Sequence, residues 1–138
     1  EIRRFQHELY LLAPEVEFDS AQSVEVKSGQ EIVIDGVGTV KIEVGSEWSA
    51  EFISKLSIRF RQGGERCRPC DRDHTQSLKK LMQQDQIEPW WRARVPLIYL
   101  ADRLLAVGDY WLCAGAEPDY QLPPLKVSWI RQALNNHN

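Results

Sequence analysis

From Lys55 to Gln62 the chain reads KLSIRFRQ, and its side chains alternate without interruption. Leu56, Ile58 and Phe60 fall on one side of an extended strand, and Ser57, Arg59 and Arg61 fall on the other. A period of two belongs to a strand with one face in a core and one in water. Here the wet face carries two guanidiniums. Gly63-Gly64 then turns the chain.

The neighbouring segments extend the pattern. ELYLL (8–12) predicts a short strand that stops at Pro14. QEIVIDGVGTVKIEV (30–44) predicts two strands around a glycine-containing turn, with Ile32 and Ile34 on one face and Val40, Ile42 and Val44 on another. TQSLKKLMQQDQI (75–87) has Leu78, Leu81 and Met82 at helical spacing, with Thr75 or Asp73 as the cap and Pro89 as the stop. PWWRARVP (89–96) is a compact bend between prolines. PLIYLADRLLAVGDYWLC (96–113) predicts strand, tight turn at 101–103, and strand. LKVSWI (125–130) predicts a last strand in which Val127 and Trp129 alternate with Ser128. The sum is an α+β chain of several antiparallel strands with one principal helix. A weak boundary near 45–54 divides it into a β-rich linker or appendage (1–54), a main domain (55–131) and a frayed tail (132–138). The first residue is Glu1 rather than Met, so a processed chain or a piece of a larger protein is expected.

At 138 residues the chain can bury a core without cross-links. No apolar run reaches the about 18 residues that a spanning helix needs, so no membrane partner is expected. Three cysteines cannot all pair within one chain, and free thiols in a reducing compartment are expected. The net charge of −3 hides an asymmetry. Residues 1–54 carry four cationic and eleven acidic side chains, a balance of −7. Residues 55–94 carry ten and five, a balance of +5. A local positive field attracts anions whatever the total charge, so the cluster points to phosphate or nucleic acid.

Other chemistries fit less well. Cys67-x-x-Cys70 with His74 supplies three potential zinc ligands, and a tetrahedral site would need Cys113 as the fourth. No second C-x-x-C closes such a site, and no helix starts directly after Cys70 to stabilise a thiolate. The thiols are therefore expected to be incidental. His7, His74 and His137 have no Ser or Cys partner at motif spacing, so no catalytic residue is expected. A solvated face neutralised by Glu65, Asp71 and Asp73 is the bland alternative for the cations. Against it stand the density of Arg, the alternation that aims the strand arginines to one side, and the bidentate fit of guanidinium to phosphate. Trp90 and Trp91 could stack on bases, though one of them is expected to anchor the bend. Trp111 and Trp129 are expected in the core.

Read end to end, RFRQGGERCRPCDRDHTQSLKKLMQQDQIEPWWRARVPLIYLADRLLAVGDYW (59–111) resembles the C-terminal domain of bacterial tRNA(Ile)-lysidine synthases. That pattern is an arginine strand, a Gly-Gly-Glu-Arg turn, an Arg-Pro-x-Gly-Arg-x-His-Ser string, a Ser-Leu-Lys-Lys-Leu helix, and a Pro-Pro-Trp-x-Arg-x-Arg-x-Pro stretch. EIRRFQHELYLL (1–12) resembles the segment leading into that domain. Asp71 stands where the family has Gly, Thr75 where it has Ser, and Glu88 where it has the first Pro. The cysteines are not part of the pattern.

The resemblance implies a small β-rich sandwich related to a domain of phenylalanyl-tRNA synthetase. It implies that this portion grips the acceptor stem of isoleucine tRNA. The residues that would do so are Arg59, Arg61, Gly63, Gly64, Arg66, Arg68, Arg72, His74, Ser77, Lys79, Lys80, Arg92 and Arg94. The parent enzyme of the family is a cytoplasmic ligase that attaches lysine to the wobble cytidine, with ATP and magnesium as its cofactors. Its ATP loop, Ser-Gly-Gly-x-Asp-Ser, does not occur in this sequence. The chain is thus expected to hold no cofactor of its own and to work with a preceding catalytic domain. The alternative is a docking module between domains or between two copies of the chain, without RNA contact.

Overall fold

A computed structural model describes residues 18–46, 48–70, 72–114 and 125–132. The strand expected over 8–12 and the end of the tail lie outside those residues, as do His7, Asp71 and His137. In chain order the elements are β1 (Val24–Glu25), β2 (Glu31–Ile34), β3 (Gly38–Val44), α1 (Ala50–Ile53), β4 (Leu56–Arg59), β5 (Arg66–Cys67), β6 (Gln76–Ser77), α2 (Leu78–Gln84), α3 (Pro89–Arg92), β7 (Leu97–Leu100), β8 (Arg103–Val107), β9 (Trp111–Leu112) and β10 (Leu125–Arg131).

The strands form a five-stranded sheet ordered β1-β4-β7-β8-β9, a three-stranded sheet ordered β10-β3-β2, and a two-stranded ribbon of β5 and β6. Every pairing among the described strands is antiparallel, the arrangement in which one face commonly stays wet. The α+β class therefore stands. Strands from either side of residue 54 share both larger sheets: β1 pairs with β4, and β10 pairs with β3.

One hydrophobic cluster joins the sheets and the principal helix. It includes Leu56, Ile58 and Phe60, then Leu97 and Ile98, then Leu105 and Val107, together with Val40, Ile42 and Trp129. From α2 it takes Leu78, Leu81 and Met82, the residues at helical spacing. Each such side chain, when fully buried, contributes about 1.5–3 kcal/mol. Trp129 donates its indole N–H to the Val37 carbonyl at 3.0 Å and packs edge-on against Trp91, so Trp91 is the tryptophan that anchors the bend.

Three local expectations are corrected. Ile32 pairs with Val40 and Ile34 with Gly38, so Ile32, Ile34, Val40, Ile42 and Val44 share one face rather than two. Directly opposed residues of an antiparallel pair point the same way. The α2 cap is Ser77, not Thr75 or Asp73, because residues 76–77 are drawn into β6 and the helix starts only after them. Pro89 does not end α2. Gln86 does, at φ 59°, with the Ile87 amide donating to the Met82 carbonyl and the Gln86 amide to Gln83, the arrangement of a Schellman cap. Pro89 instead opens α3 at its first helical position, where its missing N–H costs nothing.

Gly38 fixes the three-stranded sheet. Its φ is 125°, and a Cβ there would be driven into the Ile130 carbonyl oxygen. Only glycine lets β10 approach β3 at this end.

Candidate nucleic-acid interface

The cations among the thirteen predicted residues differ in how firmly the protein holds them. Arg59, on β4, lies over the Tyr99 ring at 4.6 Å. It donates to the Ala101 carbonyl at 2.8 Å and approaches the Asp102 carboxylate at 3.6 Å. It thereby brackets the β7–β8 turn. Burial is the main reason that the Tyr99 hydroxyl titrates above its ordinary range; the Glu65 and Asp102 charges add to this, and Arg59 opposes it. Arg92 donates to the Ile87 carbonyl at 2.7 Å. Arg94 donates to the Gly36 carbonyl at 3.0 Å and lies over the Phe18 ring, and partial burial lowers its pKa below the ordinary guanidinium value. Arg92 and Arg94 are thus committed to backbone carbonyls, Arg94 to one in the β2–β3 turn.

Arg72 is committed as well. Its guanidinium reaches both carboxylate oxygens of Asp85, at 3.0 and 3.4 Å, and faces the Trp111 ring at 5.8 Å. Asp85 also accepts the Trp111 indole N–H at 3.1 Å. One carboxylate at the end of α2 therefore fastens the loop after β5 to the edge strand β9. Sequence reasoning did not single out Asp85, because its partners are 13 and 26 residues away.

Gly63 and Gly64 sit at φ 111° and 87°, with nothing within 4 Å of where a Cβ would stand, so the turn is open to solvent. The Glu65 carboxylate accepts the amides of Gln62 at 2.7 Å and Gly63 at 3.0 Å. The acid that the bland alternative paired with arginines shapes the turn instead. Arg66 follows, exposed, opposite Ser77 in the β5–β6 ribbon, with one guanidinium hydrogen bond to the Thr75 carbonyl. Arg68 closes the loop by donating to the Arg72 carbonyl at 3.1 Å. Ser77 is a structural cap whose hydroxyl accepts the Lys80 amide at 3.2 Å. His74, Lys79 and Lys80 are exposed. Among the described residues, no carboxylate forms an ion pair with Arg61, Arg66, Arg68, Lys79 or Lys80.

The cysteines contradict the expectation of free thiols. Cys67 is disulfide-bonded to Cys113, and Cys70 alone is free and exposed. The C-x-x-C pair is split because alternation turns Cys67 into the core and Cys70 outward. The strand path brings Cys113 alongside: Pro69 bridges to Cys113, the Cys70 amide donates to Leu112, and the Ala114 amide donates to Arg68.

A surface cavity of about 650 Å³ is lined by Phe18, Asp19, Gln22, Val24, Val33, Ile34 and Asp35, none of them a predicted site residue. No helix among the described residues is long and apolar enough to cross a membrane.

The family model described as "TilS substrate C-terminal domain" matches residues 56–129. The chain is 41% identical over 122 residues to the tRNA(Ile)-lysidine synthase of Coxiella burnetii, an alignment covering 85% of this chain and 27% of that protein. It is 31% identical over 137 residues to the synthase of Xanthomonas campestris pv. campestris, covering 99% of this chain and 31% of that protein. The chain thus spans less than a third of the length of these relatives. A crystal structure of a TilS C-terminal domain superposes with a TM-score of 0.58 at 18% identity, over 80% of this chain and 98% of that one, a likeness of fold.

Proposed function

The chain belongs to the family of tRNA(Ile)-lysidine synthase C-terminal domains, and from that membership we propose that it is the tRNA-holding portion of such a ligase, gripping the acceptor stem of isoleucine tRNA. The observation that carries the reading is the strip of Arg61, Arg66, Arg68, Lys79 and Lys80 without carboxylate partners among the described residues. It runs beside an open glycine turn whose acid is occupied by backbone amides. Such a strip suits an A-form stem, which is recognised largely through its shape and its backbone. Arg59, Arg72, Ser77, Arg92 and Arg94 have a supporting role in this reading: they hold the surface in shape. Attachment of lysine, the use of ATP and magnesium, and a cytoplasmic setting belong to the proposed whole enzyme. The residues for that chemistry would lie in its other domain, since this sequence has no Ser-Gly-Gly-x-Asp-Ser string.

The test is titration of a labelled acceptor-stem duplex with the chain across a salt series. The expected slope corresponds to roughly four to six phosphates. Absent or salt-independent binding overturns the reading.

One observation favours docking as a second reading. Val33 and Ile130, 74% and 70% exposed, both pair with Thr39 and so form an apolar row on the outer face of the three-stranded sheet. Sedimentation separates the two: a stable dimer with no RNA affinity supports docking, and a monomer that shifts on adding RNA supports the tRNA-holding role.

A further inference from the structure

The Cys67–Cys113 bond is the one covalent link between the basic loop and the sheet behind it, and the proposed function makes no use of it. Cys67 stands between Arg66 and Arg68. Cys113 follows the edge strand β9, and the two are 46 residues apart in sequence. We propose that this pair is a reversible thiol–disulfide modification site, written and erased by low-molecular-weight disulfides and thiols, which clamps the arginine loop in its RNA-binding position. The effect on RNA rests on the reading above; the bond itself does not.

Three features set this link apart from a routine staple. A chain of this length with one continuous core does not depend on a cross-link to fold. The cysteine count is odd and leaves Cys70 exposed, so this is no disulfide framework. The bond is placed where, beside the Arg72–Asp85–Trp111 tie, the loop joins the sheet through three strand-like contacts among the described residues, Pro69 with Cys113, Cys70 with Leu112, and Arg68 with Ala114. Both sulfurs belong to buried residues, 3% and 6% exposed, so exchange requires local opening. A sheet edge of two residues is a segment that can open locally without global unfolding.

The chemistry balances. In oxidation the Cys113 thiolate attacks a small disulfide, forming a mixed disulfide and expelling one thiolate. The Cys67 thiolate then attacks the Cys113 sulfur, forming the observed bond and expelling the second. Two protein thiols are oxidised and one small disulfide is reduced to two thiols. Excess small thiol runs the same steps backwards. With the clamp closed, the backbone carrying Arg66 and Arg68 is fixed before RNA arrives, and less freedom is lost on binding.

The test uses the full chain equilibrated with glutathione or with glutathione disulfide. Peptide mapping after alkylation is expected to show Cys67 joined to Cys113 in the oxidised sample and both alkylated in the reduced one. Reduction is expected to lower Tm by at least about 5 °C and acceptor-stem affinity about threefold to tenfold. Cys113→Ser should behave like the reduced chain under both conditions, and Cys67→Ser likewise, so that a folding defect peculiar to one variant is recognised. Cys70→Ser should keep the full redox response. Persistence of both free thiols in glutathione disulfide overturns the modification site. A formed bond with equal RNA affinity in both states overturns the clamp. A formed bond with no RNA affinity in either state overturns both the clamp and the RNA reading, and leaves the modification site standing.

Discussion

Arg66 and Arg72 come from one basic loop, yet their surroundings give them opposite uses. Arg66 is exposed, with one backbone hydrogen bond, whereas Arg72 is held by Asp85 against Trp111. Replacing Arg66 and Arg68 together by Ala should lower acceptor-stem affinity about tenfold or more and reduce the salt slope by about two. Tm should stay within a few degrees, as read by thermal melting beside the binding titration. Asp85→Ala should do the reverse in melting. It removes the acceptor of the Trp111 N–H and a carboxylate partner of Arg72, at a cost of about 1–3 kcal/mol. An unchanged denaturation midpoint would remove Asp85 from the account. Tyr99 gives a pH signature. Its folded pKa lies above the ordinary 10.0, so the fold keeps the phenol proton that the unfolded chain gives up. Stability from this group is complete below that pH and is lost as pH rises through the folded value. Melting at a series of alkaline pH values should show a shallower decline for Tyr99→Phe.

Elements show why pattern located the strands better than it located their ends. The alternation in β4 is the same in sequence and in structure, because half-burial requires it. The α2 boundaries moved because tertiary pairing acted on them: β6 took Gln76 and Ser77, and Gln86 adopted a left-handed conformation that closes the helix before Pro89. The most demanding position in any element is Gly38. Gly38→Ala would push its Cβ into the Ile130 carbonyl and separate β10 from β3 where Arg131 pairs with Gly38. A loss of several kcal/mol is expected, at the upper end for single substitutions. Equilibrium denaturation that moves by less than about 1 kcal/mol would show that β10 does not depend on this contact.

At the scale of the molecule, Arg94 joins the segment after α3 to the β2–β3 turn through the Gly36 carbonyl. Arg94→Ala should cost about 1–3 kcal/mol while acceptor-stem affinity below the transition stays within about twofold. A fall in affinity comparable to that of the Arg66, Arg68 double variant would instead put Arg94 on the RNA. The sequence by itself determined the antiparallel α+β character, the apolar face of each long strand, the principal helix and the concentration of positive charge, since each is written in short-range periodicity and composition. The family resemblance was legible for the same reason, as a run of punctuated motifs in order. Tertiary structure decided which cations face water and which are bound to protein, and that Cys67 meets Cys113 instead of Cys70. Those outcomes turn on partners such as Asp85 and Cys113, which lie 13 to 46 residues away along the chain. No local pattern encodes them, because the chain meets itself there only once both sheets have formed.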